Sequence, residues 1–139
     1  MNYTISQAAE RMGVAPSTIR YYDQQGLIPN IRRKSGQRVF DDTDIRFLKL
    51  LNCLKNTGMP LKRIRAYVDM IKEGDKSIEK RYGLIKDQRE FIMEQIEQMN
   101  YYLAELDFKD WYYRKALAQG TEKGIRIEDY EKETGQKAP

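Results

Sequence analysis

The sequence is poor in the residues that bind metals and perform acid–base chemistry: its 139 residues include no histidine and one cysteine, Cys53. One cysteine cannot form a disulfide within the chain, and zinc and iron–sulfur sites use several cysteines or histidines. The sequence also has no phosphate-binding loop and no plausible pair of nucleophile and base. We therefore predict that the protein is not an enzyme, with no catalytic residues, no cofactor and no metal site.

Long apolar runs are also absent. No segment approaches the ~20 consecutive apolar residues that a membrane-spanning helix needs. Residues 1–5 lack the basic and then apolar pattern of a signal peptide. We expect a protein of the cytoplasm that has no membrane partner.

The charge is unevenly distributed along the chain. Residues 1–68 carry twelve Lys or Arg and five Asp or Glu, a net charge of +7, whereas residues 69–139 carry thirteen and sixteen, a net charge of −3. Positive charge concentrated in one segment is typical of a domain that binds nucleic acid. A solvated basic surface is the alternative.

Two short helices joined by a glycine-containing turn are predicted over about residues 4–25. Thr4 and Gln7 have the spacing of a capping box, Gly13 ends the first helix, and Pro16 suits the first turn of the second. This pattern predicts a helix-turn-helix, whose second helix enters the major groove of DNA. The outward-facing side chains of that helix suit base edges and phosphates; they are Ser17, Thr18, Arg20 and Tyr21.

A small hairpin is predicted over about residues 30–40, because Ile31 and Val39 have strand character and a turn signal lies between them at Ser35 and Gly36. Its cations suit the phosphate backbone, as in a DNA-binding wing; they are Arg32, Arg33, Lys34 and Arg38. A charged surface loop is the alternative.

Two further helices complete a predicted head domain over residues 1–73. Asp41 begins the third helix and Pro60 opens the fourth. Lys62 and Arg63 face outward near the start of the fourth helix, where they form a second candidate wing over about residues 57–68.

The most regular pattern in the chain is a heptad repeat, in which spacings of four and three alternate. Its apolar members are Ile78, Tyr82, Ile85, Ile92, Ile96, Met99, Leu103 and Leu106. Arg89 is the one polar member. We predict a coiled-coil dimerisation helix over residues 76–107, with packing against the same chain as the alternative. The repeat alone does not fix the direction of the partner helix.

After residue 107 the composition changes. Residues 108–118 are predicted to form a short aromatic helix, and the polar residues 119–139 a flexible tail. Trp111, Tyr112 and Tyr113 are either core residues or one wall of an effector pocket.

Three sequence blocks resemble the MerR-type transcription regulators: residues 18–29, residues 35–40 and residues 57–64. The resemblance extends over residues 2 to about 106. It implies a mainly α fold with a winged helix-turn-helix head, a small β-hairpin wing and a long antiparallel coiled-coil dimerisation helix. It also implies a bacterial, nucleoid-associated homodimer on a near-palindromic stretch of double-stranded promoter DNA. Such a dimer distorts the spacer between the −35 and −10 elements and acts indirectly on RNA polymerase holoenzyme.

The resemblance assigns DNA contacts to particular residues. Contacts from the first wing fall to Arg33, Lys34, Gln37 and Arg38, and those from the second wing to Lys62 and Arg63. Gln37 departs from the family pattern, which usually has tyrosine at this position. An amide hydrogen bond would then replace the aromatic contact with the DNA backbone.

The resemblance also implies a sensor, because the small aldehyde- and electrophile-responsive regulators carry one cysteine just ahead of the second-wing turn. Here that cysteine is Cys53. Lys49 and Arg46 share its helical face and favour the reactive thiolate, whereas the nearby helix C-terminus opposes it. The alternatives are a structural cysteine, an apolar ligand near the C-terminal aromatic residues, and an architectural DNA-binding protein without an effector.

Overall fold

The computed structural model describes residues 1–29 and 32–139, so the predicted start of the first wing at residue 30 and the strand character of Ile31 lie outside the described residues. The elements are α1 (Ile5–Met12), α2 (Pro16–Gln24), β1 (Arg32–Lys34), β2 (Gln37–Val39), α3 (Asp42–Asn56), α4 (Leu61–Glu73), α5 (Ile78–Gln119) and α6 (Ile127–Thr134). The chain divides into two units, Met1–Arg89 and Glu90–Pro139, and α5 contributes to both. The prediction of a mainly α fold with one small hairpin is confirmed.

Local capping sets the starts of α1 and α3. The Thr4 hydroxyl accepts a hydrogen bond from the backbone N–H of Gln7, and the Gln7 side chain accepts one from the backbone N–H of Thr4. Asp41 and Asp44 make the same reciprocal pair at the start of α3. Each pair satisfies backbone donors that a helix start leaves without partners.

The hairpin is antiparallel, with Arg33 opposite Arg38 and Lys34 opposite Gln37. The reversal needs two successive residues with positive φ, and Ser35 and Gly36 have φ values of 54° and 79°. A bridge between Tyr3 and Phe40 attaches the base of the hairpin to the residues before α1.

The hydrophobic core of the first unit lies between α1, α2, α3 and α4. The α3 residues that it buries are Ile45, Leu48, Leu51 and Leu54. These positions are spaced by three and so lie on one face of the helix. Phe47 and Leu50 are half-buried and pack against the edge of the core.

The junction between α4 and α5 is held by polar contacts. The segment from Gly74 to Ser77 forms a turn of 3-10 helix. Arg81 donates from Nε to the Ser77 hydroxyl at 3.0 Å and from Nη2 to the Gly74 carbonyl at 3.0 Å. Ser77 also donates to the carbonyl oxygens of Met70 and Gly74. The segment between α4 and α5 is therefore an ordered junction.

The C-terminal region corrects two sequence predictions. Residues 108–118 are not a separate helix, because α5 continues to Gln119 and Gly120, with φ of +75°, follows it. Proline and glycine do not interrupt this stretch, so nothing local stops the helix earlier. Within the predicted flexible tail, α6 is ordered by Tyr130, which is buried against the rings of Phe108 and Trp111.

Candidate nucleic-acid interface

The exposed face of α2 carries the residues that the sequence assigned to the DNA groove. Ser17, Arg20 and Tyr21 are exposed and Thr18 is half-buried, whereas Ile19 and Tyr22 on the opposite face are buried. The inward pair fixes α2 to the core and leaves a hydroxyl, a guanidinium and a phenol available on the surface.

The hairpin and α2 enclose a shallow groove of about 450 Å³. Its walls bring Arg20 of α2 together with four hairpin residues and the start of α1. The lining residues are Thr4, Ile5, Ser6, Arg20, Arg33, Gly36, Gln37 and Arg38. Lys34 lines a neighbouring hollow of about 320 Å³ beside Gln37 and Arg38. Arg20 and the predicted residues of the first wing therefore form one basic surface, which suits phosphates. Ser17, Thr18 and Tyr21 do not line either hollow.

Arg38 also connects the hairpin to α2. Its Nε donates to the Asp23 carboxylate at 2.8 Å, and both side chains are largely buried. Charge-assisted hydrogen bonds with restricted access to water are stronger than exposed ion pairs. Arg38 thus positions the wing as well as lining the groove.

Arg32 fastens the other strand of the hairpin to the start of α3. Its Nη2 lies 2.9 Å from the Asp41 carboxylate and 2.7 Å from that of Asp44. The backbone N–H of Asp44, together with Arg32, holds the pKa of the Asp41 carboxyl below its usual value. This arginine has a structural partner and is a poor candidate for a phosphate contact.

The candidate second wing is less uniform than the first. Lys62 and Arg63 are exposed in the first turn of α4, and Arg63 lies 3.6 Å from the Asp87 carboxylate. The nearby Arg65 donates to the backbone and side-chain oxygens of Gln25 at the end of α2. Lys62 and Arg63 are on the surface. Arg65 connects α4 to the end of α2.

The last turn of α3 contacts both α2 and α5. The Tyr22 hydroxyl donates to Asn52 Oδ1 at 3.0 Å, and Lys55 Nζ lies 4.5 Å from the centre of the Tyr21 ring. Thr57, which caps α3, accepts a hydrogen bond at 2.7 Å from Nε2 of Gln88 in α5. The last turn of α3 therefore connects α2 to α5.

Cys53 lies within this same turn and is exposed. Its backbone carbonyl accepts the Thr57 hydroxyl at 2.8 Å.

The predicted heptad residues stay on the surface of the chain. Six of them are more than half exposed: Ile78, Tyr82, Ile96, Met99, Leu103 and Leu106. Ile92 is half-buried, and Ile85 packs at the edge of the core of the first unit. Leu84 and Gln88 are buried instead and lie outside the heptad positions. Six such exposed apolar side chains on one helix are typical of an interaction face.

The C-terminal aromatic residues are engaged within their own unit. Trp111 Nε1 donates to Glu133 at 2.7 Å, and the Tyr112 hydroxyl donates to Glu122 at 3.0 Å. The Tyr130 ring meets the Trp111 ring with 5.3 Å between their centres. These contacts favour the interpretation of Trp111 and Tyr112 as packing residues, while Tyr113 is exposed.

We expect the attachment of α6 to depend on pH. Lys115 and then Trp111 hold the pKa of the Glu133 carboxyl below its usual value. Because a lowered pKa in the folded state stabilises the folded form above the unfolded value of 4.5, this stabilisation is lost as the pH falls through the lowered pKa. Trp111 is the one tryptophan, so its emission should shift to longer wavelength as the pH falls through the lowered pKa of Glu133.

A matched variant separates this effect from general acid unfolding. Glu133→Gln keeps an oxygen that accepts from Trp111 but does not titrate, so it should remove the acid transition of the fluorescence. An unchanged transition in this variant would show that other groups control the attachment of α6.

Sequence reasoning missed several residues that shape the interface. Asp23 and Gln88 act on partners far away in the chain, and nothing local in the sequence indicates that pairing. Thr4 was predicted only as part of the capping box, and Ser6 was not predicted at all, but both line the groove. Their position at the start of the first helix of the motif was the feature that could have indicated this.

Within residues 1–29 and 32–139, no helix is long and apolar enough to cross a membrane. Within the same ranges, no cluster of three or more His, Cys, Asp or Glu is arranged to hold a metal ion.

The helix pair, the basic hairpin and the groove between them define a winged helix-turn-helix regulator. Residues 3–71 match the family described as "MerR HTH family regulatory protein". An HTH-type transcriptional regulator from Haemophilus influenzae is 41% identical over 128 residues, which cover 91% of this chain and 95% of the relative. The chain therefore belongs to the MerR family of DNA-binding transcriptional regulators and is not an enzyme.

Solved structures agree with this assignment. The crystal structure of HiNmlR, a MerR family regulator lacking the sensor domain and bound to promoter DNA, is 41% identical with a TM-score of 0.85, and the match covers 91% of this chain and 98% of that one. A MerR family transcriptional regulator from Bacillus thuringiensis is 38% identical with a TM-score of 0.72, covering 78% of this chain and 96% of the other.

Proposed function

We propose that the protein binds a near-palindromic promoter as a homodimer, with α2 in the major groove and the hairpin on the phosphate backbone. The groove that brings Arg20 together with Arg33 and Arg38 is the observation that carries this proposal. The net charge of +7 in residues 1–68 supports it. HiNmlR, a 41% identical relative, was solved on promoter DNA.

The exposed heptad residues of α5 support the homodimer. An unpaired coiled-coil face is stabilised by a second copy of itself. Two recognition helices related by a two-fold axis match two half-sites of a palindrome. The second copy thus both covers an apolar face and doubles the DNA contacts.

Regulation in this proposal acts through the shape of the DNA. The dimer bends and untwists a spacer between the −35 and −10 elements that is longer than polymerase prefers, and so brings the two elements into register. The energy is stored in deformed DNA rather than in direct contacts with polymerase. RNA polymerase holoenzyme is then an indirect partner.

The signal in this proposal is an aldehyde or another electrophile that reacts with Cys53. The thiolate sulfur adds to the carbonyl carbon, the carbonyl oxygen takes up a proton, and a hemithioacetal forms with no leaving group. The exposure of the thiol supports access. The adduct would act on the turn that holds Tyr22 through Asn52 and Gln88 through Thr57.

Run-off transcription tests the sensor. We expect a small aldehyde to change transcription from the promoter upstream of the protein's own gene at least several-fold with the wild type, and to leave Cys53→Ser without a response. Serine keeps the size of the side chain but is a poor nucleophile at neutral pH.

Two other results would redirect the sensor proposal. Equal responses of the wild type and Cys53→Ser would contradict a cysteine sensor and favour a ligand elsewhere, such as the region around the exposed Tyr113. Protection of many DNA sites, with transcription unchanged by aldehyde in either protein, would favour an architectural DNA-binding protein.

A further inference from the structure

The heptad pattern of α5 continues past Leu106 to the end of the helix. Because α5 is one helix as far as Gln119, the alternation of four and three extends through Asp110, Tyr113 and Leu117. Tyr113 and Leu117 are 53% and 82% exposed. The interaction face of α5 therefore extends beyond the predicted range of residues 76–107. Asp110 is its second charged member, after Arg89.

Near the end of α5, two apolar residues outside the heptad are packed within the chain. Phe108 and Trp111 occupy outer positions of the repeat and are half-buried, and α6 packs on them through Tyr130, with ring centres 5.1 and 5.3 Å apart. This packing leaves Tyr113 and Leu117 exposed. The last part of the heptad face therefore stays open to a partner with the same pattern.

The two charged members of the repeat are opposite in sign and occupy equivalent positions three heptads apart, Arg89 and Asp110. In a parallel, in-register dimer Arg89 would lie opposite the partner's Arg89, and Asp110 would lie opposite the partner's Asp110. Like charges would then meet twice. In an antiparallel dimer that aligns the first heptad residue with the last, Ile78 lies opposite the partner's Leu117. Arg89 then lies one layer from the partner's Asp110, so opposite charges meet twice.

We propose that Arg89 and Asp110 of the partner subunit form an ion pair that fixes the antiparallel direction and the register of the α5 dimer. This inference rests on the homodimer of the proposed function and names the residues that select its geometry. Within one chain, Asp110 lies 3.0 Å from Arg114 in an exposed i,i+4 pair. Exposed pairs of this kind are weak, so the Asp110 carboxylate can exchange that partner for Arg89.

Charge reversal tests the pair without disturbing the core of the single chain, because both side chains are exposed there. We expect Arg89→Glu and Asp110→Lys each to raise the Kd of the dimer about tenfold, since each dimer contains two copies of the pair. The combined variant Arg89→Glu/Asp110→Lys restores opposite charges only in the antiparallel arrangement. Sedimentation over a dilution series should therefore return its Kd to within a few-fold of the wild type.

Disulfide formation tests the direction independently. In a Cys53→Ser background, Ile92→Cys and Leu103→Cys are opposite each other in the proposed register. A mixture of the two variants should cross-link, and neither variant should cross-link with itself, because a disulfide needs Cα atoms within about 7 Å. Self-linking of either variant alone would indicate a parallel dimer and overturn the inference.

The outcomes separate this inference from the proposed function. If the wild type does not dimerise at any concentration, the proposed homodimer fails. If the wild type dimerises but the charge reversals leave its Kd unchanged, or the combined variant is no tighter than the single variants, the dimer stands and the Arg89–Asp110 pair is excluded.

Discussion

Replacing Arg20 and Arg33 together by alanine should weaken promoter binding by about 1,000-fold or more at physiological salt, because the dimer loses two copies of each arginine and each copy makes about one phosphate or base contact worth ~1–1.5 kcal/mol. Both residues line the groove between α2 and the hairpin. The slope of log K against log salt should fall by about 0.9 for each phosphate contact that is lost. Titration of labelled promoter DNA at several salt concentrations measures both quantities.

A control with the same change of charge shows whether location matters. Lys123→Ala combined with Lys137→Ala also removes two exposed cations, but from the second unit. We expect its affinity and salt slope to stay close to those of the wild type. Equal losses in the two variants would mean that net charge, rather than the groove, determines DNA binding.

Tyr22→Ala should cause the largest loss of stability among the residues of the recognition helix. The side chain is 1% exposed, its ring packs in the core, and its hydroxyl donates to Asn52 at 3.0 Å. Truncating a buried aromatic side chain costs about 3–5 kcal/mol, which is a large part of the 5–15 kcal/mol that stabilises a typical domain. Urea unfolding followed by circular dichroism gives the difference directly.

Tyr22→Phe is the matched variant, because it removes only the hydroxyl. We expect a loss of about 1 kcal/mol, since Asn52 is half-buried and can recover part of its hydrogen bonding from water. Burial and the neighbouring Tyr21 raise the pKa of the Tyr22 phenol, so the hydroxyl stays protonated and the loss is independent of pH through the neutral range. A loss as large as that of Tyr22→Ala would mean that the hydrogen bond, and not the ring, holds α2 in place.

The parts of the fold that follow from neighbouring residues were predictable. The capping box of Thr4 and Gln7 and the turn at Ser35 and Gly36 involve residues at most three apart in the sequence, and all appear as predicted. The same holds for the inward and outward faces of α2, because two turns of a helix define them.

The parts that depend on distant partners were not predictable. Arg38 was assigned to the DNA backbone, but nothing in the sequence indicates that Asp23 lies 2.8 Å away. The polar residues 119–139 suggested a flexible tail, but one buried side chain, Tyr130, orders α6 against the aromatic rings of α5. In both cases tertiary contacts decided the outcome, and local composition carried no information about them.

Footprinting of the purified protein on the promoter upstream of its own gene tests the central claim most directly. We predict one protected region with two-fold symmetry, centred between the −35 and −10 elements, that weakens as salt rises. The Arg20→Ala/Arg33→Ala variant should leave this region unprotected. Diffuse protection without a symmetric centre, or no protection at salt concentrations that retain the dimer, would contradict the account.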